Sequence, residues 1–422
     1  MTAVTTRHDA IDLALIETLF DRLAAPDAER IGITRDAYGP GEQRAHALFV
    51  ETAESLDLII ERDAAGNHFA VYPGADRERP AWVIGSHLDS VPQGGNFDGA
   101  AGVIAGLSVI ATLRRQNLVA PRDIIVAVFR AEESTWFPTS YLGSRAALGR
   151  LAPEVLSLTR ADTGRTLAEH MRDCGGDPEA VATGANWLGQ RALQGMLELH
   201  IEQGPTLDNE ALAVGIVTGI AGSFRYREAR CFGEWGHSGA VAKPYRHDAL
   251  MAFAELAMAL EHTWEKLEQR GERATVTVGQ IATPPAQHAF SKIPGEVGFC
   301  LDVRSGSPAV LAELEATLHE IVERIGTERG VRFDLGPRSA SLPAPMSETL
   351  TQRCQQLAVE HRISHCLLPS GAGHDAATFA QAGVPTQMLF VRNQHGSHNP
   401  QEAMRLADFV EGVRLLTTLV QA

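Results

Sequence analysis

The sequence predicts an α/β fold: a larger domain built on a mostly parallel sheet, with a small α+β domain inserted into it. Two observations carry this expectation. Four short apolar runs, at 81–87, 123–133, 196–204 and 385–392, have the length and composition of buried strands, and amphipathic helical stretches lie between and around them. Between the third and fourth runs the rhythm changes, and the order becomes strand, helix, strand, strand, helix, strand.

In chain order, "AWVIGSH" (81–87) is the first buried strand and "DGAAGVIAGLSVIATLRRQ" (98–116) the helix after it. "DIIVAVFRAEE" (123–133) and "MLELHIEQG" (196–204) are the next two strands. "SFRYREARCFGE" (223–234) alternates apolar and polar residues, as a half-buried strand does. A long helix follows at 246–270, then strands at 274–282 and 296–305, a second long helix at 307–329 and a strand at 331–336. This βαββαβ order suits a ferredoxin-like domain, with helices on one face of an antiparallel sheet. "PTQMLFVR" (385–392) returns the chain to the larger domain. The expected boundaries are 1–211 and 338–422 for the larger domain and 212–337 for the inserted one.

Composition narrows the function. The chain has 422 residues, 44% hydrophobic and 21% charged, the balance of a globular protein rather than a disordered one. Its net charge of −15 comes without a basic stripe, so a phosphate-binding surface, and with it nucleic acid, is excluded as a partner. Cys174, Cys231, Cys300, Cys354 and Cys366 are scattered without CxxC spacing, which argues against a disulfide framework or a zinc ribbon. No run of about 18 apolar residues is present, so no membrane partner is expected. The N-terminal "MTAVTTRHDAIDLALIETLF" carries acidic residues where a signal peptide needs an apolar core. A cytoplasmic chain is the expectation.

The chemistry gathers at one end of the four runs. The first ends in His87 and Asp89, with Asp98 arriving after a glycine-rich loop; the second leads into Glu132 and Glu133. The third ends in His200 with Glu202, and the fourth is followed by His395 and His398. In open α/β sheets ligands bind beyond the carboxyl ends of the strands. A lone HxD is weak evidence, and an isolated "EE" is usually an exposed acidic pair. Four runs delivering His or carboxylate at matching ends make a metal site. Imidazole with carboxylate suits zinc, manganese, cobalt or nickel. Two metals a few Å apart need a shared carboxylate, and a free Glu beside them can take a proton from the attacking water.

The ordered set "GSHLDSVPQGGNFDGAAGV", "AEES…GSRA", "HIEQGPTL", "GHSGA…RHDA", "IPGEVGFCLDVR", "SGAGHDA" and "GSHNPQEA" resembles the hydantoinase/carbamoylase branch of the M20 metallopeptidase family. That branch includes N-carbamoyl-L-amino acid hydrolases, β-ureidopropionases and allantoate amidohydrolases. The resemblance implies that His87, Asp98 and His200 hold one divalent metal, and Asp98, Glu133 and His398 a second, with Asp98 bridging. Glu132 would be the general base, and Asp89 would accept a hydrogen bond from the His87 ring. The inserted domain would be a lid and dimerisation domain in a homodimer. From it His237 would polarise the scissile carbonyl, in this family often from the partner subunit, and Arg304 would pair with a substrate carboxylate, bidentate where geometry permits. Gln203 would be a polar contact in the substrate pocket. The implied reaction cleaves an N-carbamoyl amino acid to amino acid, ammonia and carbon dioxide.

Four departures from the family pattern touch the pocket and not the ligands. Ser291 and Lys292 stand where an Asn usually precedes "IPGE". Trp136 replaces an Arg after the Glu pair, which would give the substrate a flat apolar wall unless the ring is a core residue. "HSGAVAKP" (237–244) replaces "HAGTTPM", and Arg392 and His395 add charge before the last ligand. An N-acyl-amino acid amidase or dipeptidase-like activity is therefore the alternative, and a non-catalytic binding protein on the same fold a remote one. His374 either lies near the site or packs a helix N-terminus. His46, His68, His262, His319 and His361 have no partner pattern and read as surface residues.

Overall fold

A strand buried on both faces is built mostly from apolar side chains at consecutive positions, and three of the four runs form strands buried throughout. In a computed structural model, which describes residues 11–25 and 31–421, strands Ala81–His87, Ile124–Phe129 and Thr386–Val391 are buried at every residue. Leu193–Ile201 joins them, its last seven residues buried. The first ten residues of the N-terminal stretch read for a targeting signal lie outside the described residues.

The chain divides into two compact units. The first comprises residues up to Thr218 together with Met346–Ser370 and His374–Ala422. Its sheet runs in the order Ile59–Arg62, His68–Tyr72, Ile124–Phe129, Ala81–His87, Leu193–Ile201, Thr386–Val391 and Val214–Ile220. The four central strands are parallel, as the alternation of runs and helices predicts. The flanks are antiparallel, so the sheet is mixed. Side chains alternate between its faces: Ile84, Val126, Leu199 and Leu389 enter one core, and Val83, Ile125, Phe129 and Met196 the other. The first core is covered by helices Leu13–Ala24, Ala100–Arg115, Glu348–Glu360 and Leu406–Val420. Ala100–Arg115 lies close to the sheet because its residues are small: a Cβ on Gly102 would stand 2.5 Å from the Leu199 carbonyl oxygen. Register sets His87 opposite Phe129 and His200 opposite Phe390, which brings the carboxyl ends of the four strands level.

The second unit is Gly219–Pro345 with Gly371–Gly373, against the 212–337 read from the sequence. Val214–Ile220 pairs on the first sheet, and Arg338–Ser341, beyond the expected end at 337, pairs with Gly222–Phe232. The sheet is antiparallel, with Glu296–Ser305 and Gly222–Phe232 at its centre. The stretch read as one strand at 274–282 is two, Ala274–Thr277 and Ile281–Ala282, on either side of an irregularity in Glu296–Ser305. Val297, Phe299, Leu301 and Val303 point to one face, where they meet helices Ala249–Gln269 and Pro308–Arg329. Both helices are capped: Asp248 accepts from Leu250 N and Met251 N, and Ser307 from Val310 N. Among the described residues no helix is long and apolar enough to cross a membrane.

Candidate active site

Strand ends deliver the side chains. His87 closes its strand, and its Nδ1–H donates to the Asp89 carbonyl oxygen (3.0 Å), which leaves Nε2 facing inward. His200 is held the same way, Nδ1–H donating to Ile201 O at 2.9 Å. Asp98 lies between them: its Oδ1 is 3.6 Å from His87 Nε2 and 3.2 Å from His200 Nε2. Its Oδ2 is 3.3 Å from His398 Nε2, which is itself 3.1 Å from Glu133 Oε1. Two donor sets result, His87–Asp98–His200 and Asp98–Glu133–His398, each with its ligand atoms within 4.8 Å of one another and sharing Asp98. Glu132 is buried beside the first, Oε2 at 4.0 Å from His87 Nε2.

The residues fit divalent cations. Asp98, Glu132 and Glu133 crowd together, each with a carboxylate oxygen within 4.0 Å of an imidazole nitrogen of His87, His200 or His398. Hydrogen bonds to Asp98 and Glu133 push His398 up to about 10. Burial pushes the Glu132 carboxyl well above the usual carboxylate range; Glu133 and Asp375 add to this, and the His87 ring opposes it. The loops are also held in costly conformations. Ala131, Gln203, His395 and His398 all have positive φ, between 50° and 64°, and such outliers concentrate at functional sites.

The Asp89 carboxylate is 3.3 Å from His87 Nδ1, and its oxygens also accept the backbone N–H groups of Glu132 (3.0 Å) and Glu133 (3.1 Å). It therefore ties the glutamate loop to the first strand as well as facing the ring. Trp136 is no pocket wall. It packs with Tyr38, Phe137 and Leu142, donates its indole N–H to Ser90 O (2.8 Å) and lies under the Arg160 guanidinium. Arg392 forms a buried two-point pair with Asp408, both contacts at 2.9 Å, so its charge is spent on the fold. His46 is buried, not a surface residue, with Nδ1 2.9 Å from Nδ1 of half-buried His68. His361 is half-buried, whereas His262, His319 and His395 are exposed.

Gln203 donates Nε2–H to Asp98 Oδ2 (2.8 Å), and its buried Oε1 has no hydrogen-bond partner among the described residues. His374 is buried with its ring 4.4 Å from that of His200. The acidic residues missed by sequence reading surround this centre. Glu198 accepts from Ser86 Oγ (2.6 Å) and Ala376 N (2.7 Å). Ser144 Oγ donates to Asp375. Glu402 accepts from Phe97 N and, through Ser397, is linked to Asp98. A charged residue inside an apolar run, as Glu198 is in "MLELHIEQG", is the one signal that points to them.

His237, Ser291 and Arg304 belong to the second unit. His237 Nδ1 accepts from Gly239 N (3.1 Å) and Ala240 N (3.2 Å), so in the neutral ring the proton sits on Nε2. Ser291 is exposed; its carbonyl accepts from Ser238 N at 2.9 Å. Lys292 lies over the Trp235 ring at 4.7 Å. The Arg304 fork is already engaged: Nε and Nη2 donate to Asp302 at 3.1 and 2.9 Å, and Nη1 to Gly371 O at 2.9 Å. The bidentate face expected for a substrate is thus occupied by Asp302.

Residues 83–422 match the model of peptidase family M20/M25/M40. The chain belongs to that family. An N-carbamoyl-L-amino acid amidohydrolase of Geobacillus stearothermophilus is 35% identical, over 91% of this chain and 92% of the relative. The allantoate amidohydrolase of Escherichia coli (strain K12) is 30% identical, over 92% of each. Among solved structures, an amidase of the hydantoinase/carbamoylase family from Burkholderia multivorans matches with a TM-score of 0.86 at 29% identity, over 97% of each chain. This M20 chain is accordingly an amidohydrolase of the hydantoinase/carbamoylase group, metal-dependent as its family is, and acts on C–N bonds other than peptide bonds.

Proposed function

We propose that this M20 amidohydrolase cleaves the ureido group of N-carbamoyl amino acids, with two divalent ions (zinc, manganese, cobalt or nickel) held by the two donor sets. The observation that carries the reading is the shared Asp98, one oxygen toward each set, with Glu132 beside them. The names of the relatives support the substrate class: besides the carbamoylase and the allantoate enzyme, a ureidoglycolate hydrolase of Arabidopsis thaliana is 31% identical over 97% of this chain. Gln203, hydrogen-bonded to Asp98 at 2.8 Å, is assigned the polar contact to the substrate.

When bound, the ions act as Lewis acids and lower the pKa of the attacking water toward neutrality. Glu132 accepts that water's proton at its carboxylate and returns it to the leaving nitrogen. Asp98 and Glu133 balance the positive charge of the centre. His237, protonated at Nε2, donates to the developing oxyanion. Arg304 is assigned to the substrate carboxylate, which it would meet by exchanging the Gly371 carbonyl now held at Nη1. One water is consumed, and the carbamate released decomposes, so the products are amino acid, ammonia and carbon dioxide. The assembly is read as a homodimer through the second unit.

Ammonia release by the manganese-loaded chain tests this on N-carbamoyl amino acids, allantoate and ureidoglycolate, with N-acetyl and N-aroyl amino acids scored by free amino acid. Ammonia from N-carbamoyl amino acids at the highest kcat/KM is the expected result. Free amino acid from the acyl substrates alone would overturn the ureido reading and leave the hydrolase.

A further inference from the structure

Glu132 and Glu133 stand on a loop that turns through Ala131 in the left-handed conformation, φ 50°. That conformation crowds the Cβ of any residue but glycine against the backbone, so other contacts must hold it. Four consecutive backbone N–H groups do so, each given to a side chain. Arg130 N donates to Asn67 Oδ1 (2.8 Å), Ala131 N to Glu42 Oε1 (2.8 Å), and Glu132 N and Glu133 N to the two oxygens of Asp89. The carbonyls are taken as well: Gly143 N, Leu142 N and Tyr141 N donate to the oxygens of Arg130, Ala131 and Glu132 at 2.8, 3.1 and 3.0 Å.

Glu42 is the acceptor that the proposed chemistry leaves unexplained. It is fully buried in the first turn of helix Pro40–Ser55. Its Oε2 accepts from Tyr38 N (2.7 Å) and from Arg130 Nη1 (2.9 Å). Arg130 is equally buried, and its Nε and Nη2 donate to Gly66 O (3.0 Å) and Gln43 Oε1 (2.7 Å). Stability alone does not call for such a pair, because a buried ion pair replaced by apolar residues of similar volume is often as stable or more so. An apolar pair, however, cannot hold the N–H of Ala131.

We infer that Glu42 is a positioning residue for the Glu132–Glu133 pair: anchored by Arg130, its carboxylate pins the left-handed turn at Ala131 and so fixes where both glutamate side chains leave the loop. With the turn pinned, Glu133 Oε1 reaches 3.1 Å from His398 Nε2 while Glu132 Oε2 stays 4.0 Å from His87 Nε2. The inference rests on the proposed role of Glu132 as the group that moves the proton. It adds a residue that touches neither substrate nor ligand atoms.

The test separates positioning from mere support. The double variant Glu42→Leu/Arg130→Met removes both charges together, and Phe49→Leu weakens the apolar face of the same helix. Glu132→Gln runs beside them, each as manganese-loaded full chain. For the double variant the expected result is a melting temperature no lower than that of Phe49→Leu and a kcat lower by about 10–100-fold, as a misplaced group produces, with KM within about threefold. Phe49→Leu lowers the melting temperature and leaves kcat unchanged. A double variant that recovers kcat along with its melting temperature would make Glu42 a structural residue and overturn the inference. Should the double variant not fold, Glu42→Gln, which keeps the shape, is judged on the same kcat loss. If Glu132→Gln retains turnover, the reading of Glu132 fails and this inference with it. If Glu132→Gln is inactive while the double variant turns over at full rate, only the inference fails.

Discussion

A Cβ on Gly99 would stand 2.5 Å from Cε1 of the His87 ring, at a φ of 68° that L side chains rarely adopt. Gly99→Ala should therefore push the ring away from Asp98 and weaken metal binding by about 10–100-fold, the usual size of a disturbed ligand orientation; competition with a metallochromic chelator measures it. Trp136 gives the opposite expectation. Trp136→Phe should leave KM within about twofold and cost roughly 1 kcal/mol of stability for the lost bond to Ser90, read by urea unfolding. A large rise in KM would return the ring to the pocket. At this scale the sequence was readable where chemistry sits at a strand end, as with His87 and His200. It was not readable where a carboxylate works from beneath: Glu42 and Asp375 look like ordinary polar residues until folding buries them. Trp136 could not be placed from sequence either, since an aromatic residue reads alike as pocket or as core.

The strands set how firmly those residues are presented. Leu199 is fully buried, next to His200 in Leu193–Ile201, and a methyl group on Gly412 would come within 2.4 Å of its side chain. Leu199→Ala should destabilise the chain by about 2–5 kcal/mol, with the loss appearing in the denaturant midpoint before it appears in kcat. The four parallel strands were legible because burial on both faces demands an unbroken apolar run. The antiparallel flanks were less so. His68–Tyr72 is short, and Val214–Ile220 is interrupted by Gly215 and Gly219, which dilute the apolar signal. The α+β order of the second unit was legible from its two long helices, but its limits were not, because pairing with Gly222–Phe232 resumes at Arg338, past the expected last strand at 331–336.

For the whole molecule the governing fact is that four strand ends and their loops concentrate acid in one buried place. The chain carries 52 Asp and Glu against 37 Lys and Arg, yet the centre does not draw on that surface imbalance. Its acids are met within 4 Å by the imidazoles of His87, His200 and His398, and cations are what such a centre holds. Asp98 belongs to both donor sets, and bound metal measured by mass spectrometry of elements tests that sharing most directly. Metal-stripped protein is reloaded with manganese, passed through a desalting column and counted. The wild-type chain should retain two ions, Glu133→Ala one, and Asp98→Ala none. A wild-type chain that saturates at a single ion, or an Asp98→Ala chain that keeps both, would contradict the shared-carboxylate centre.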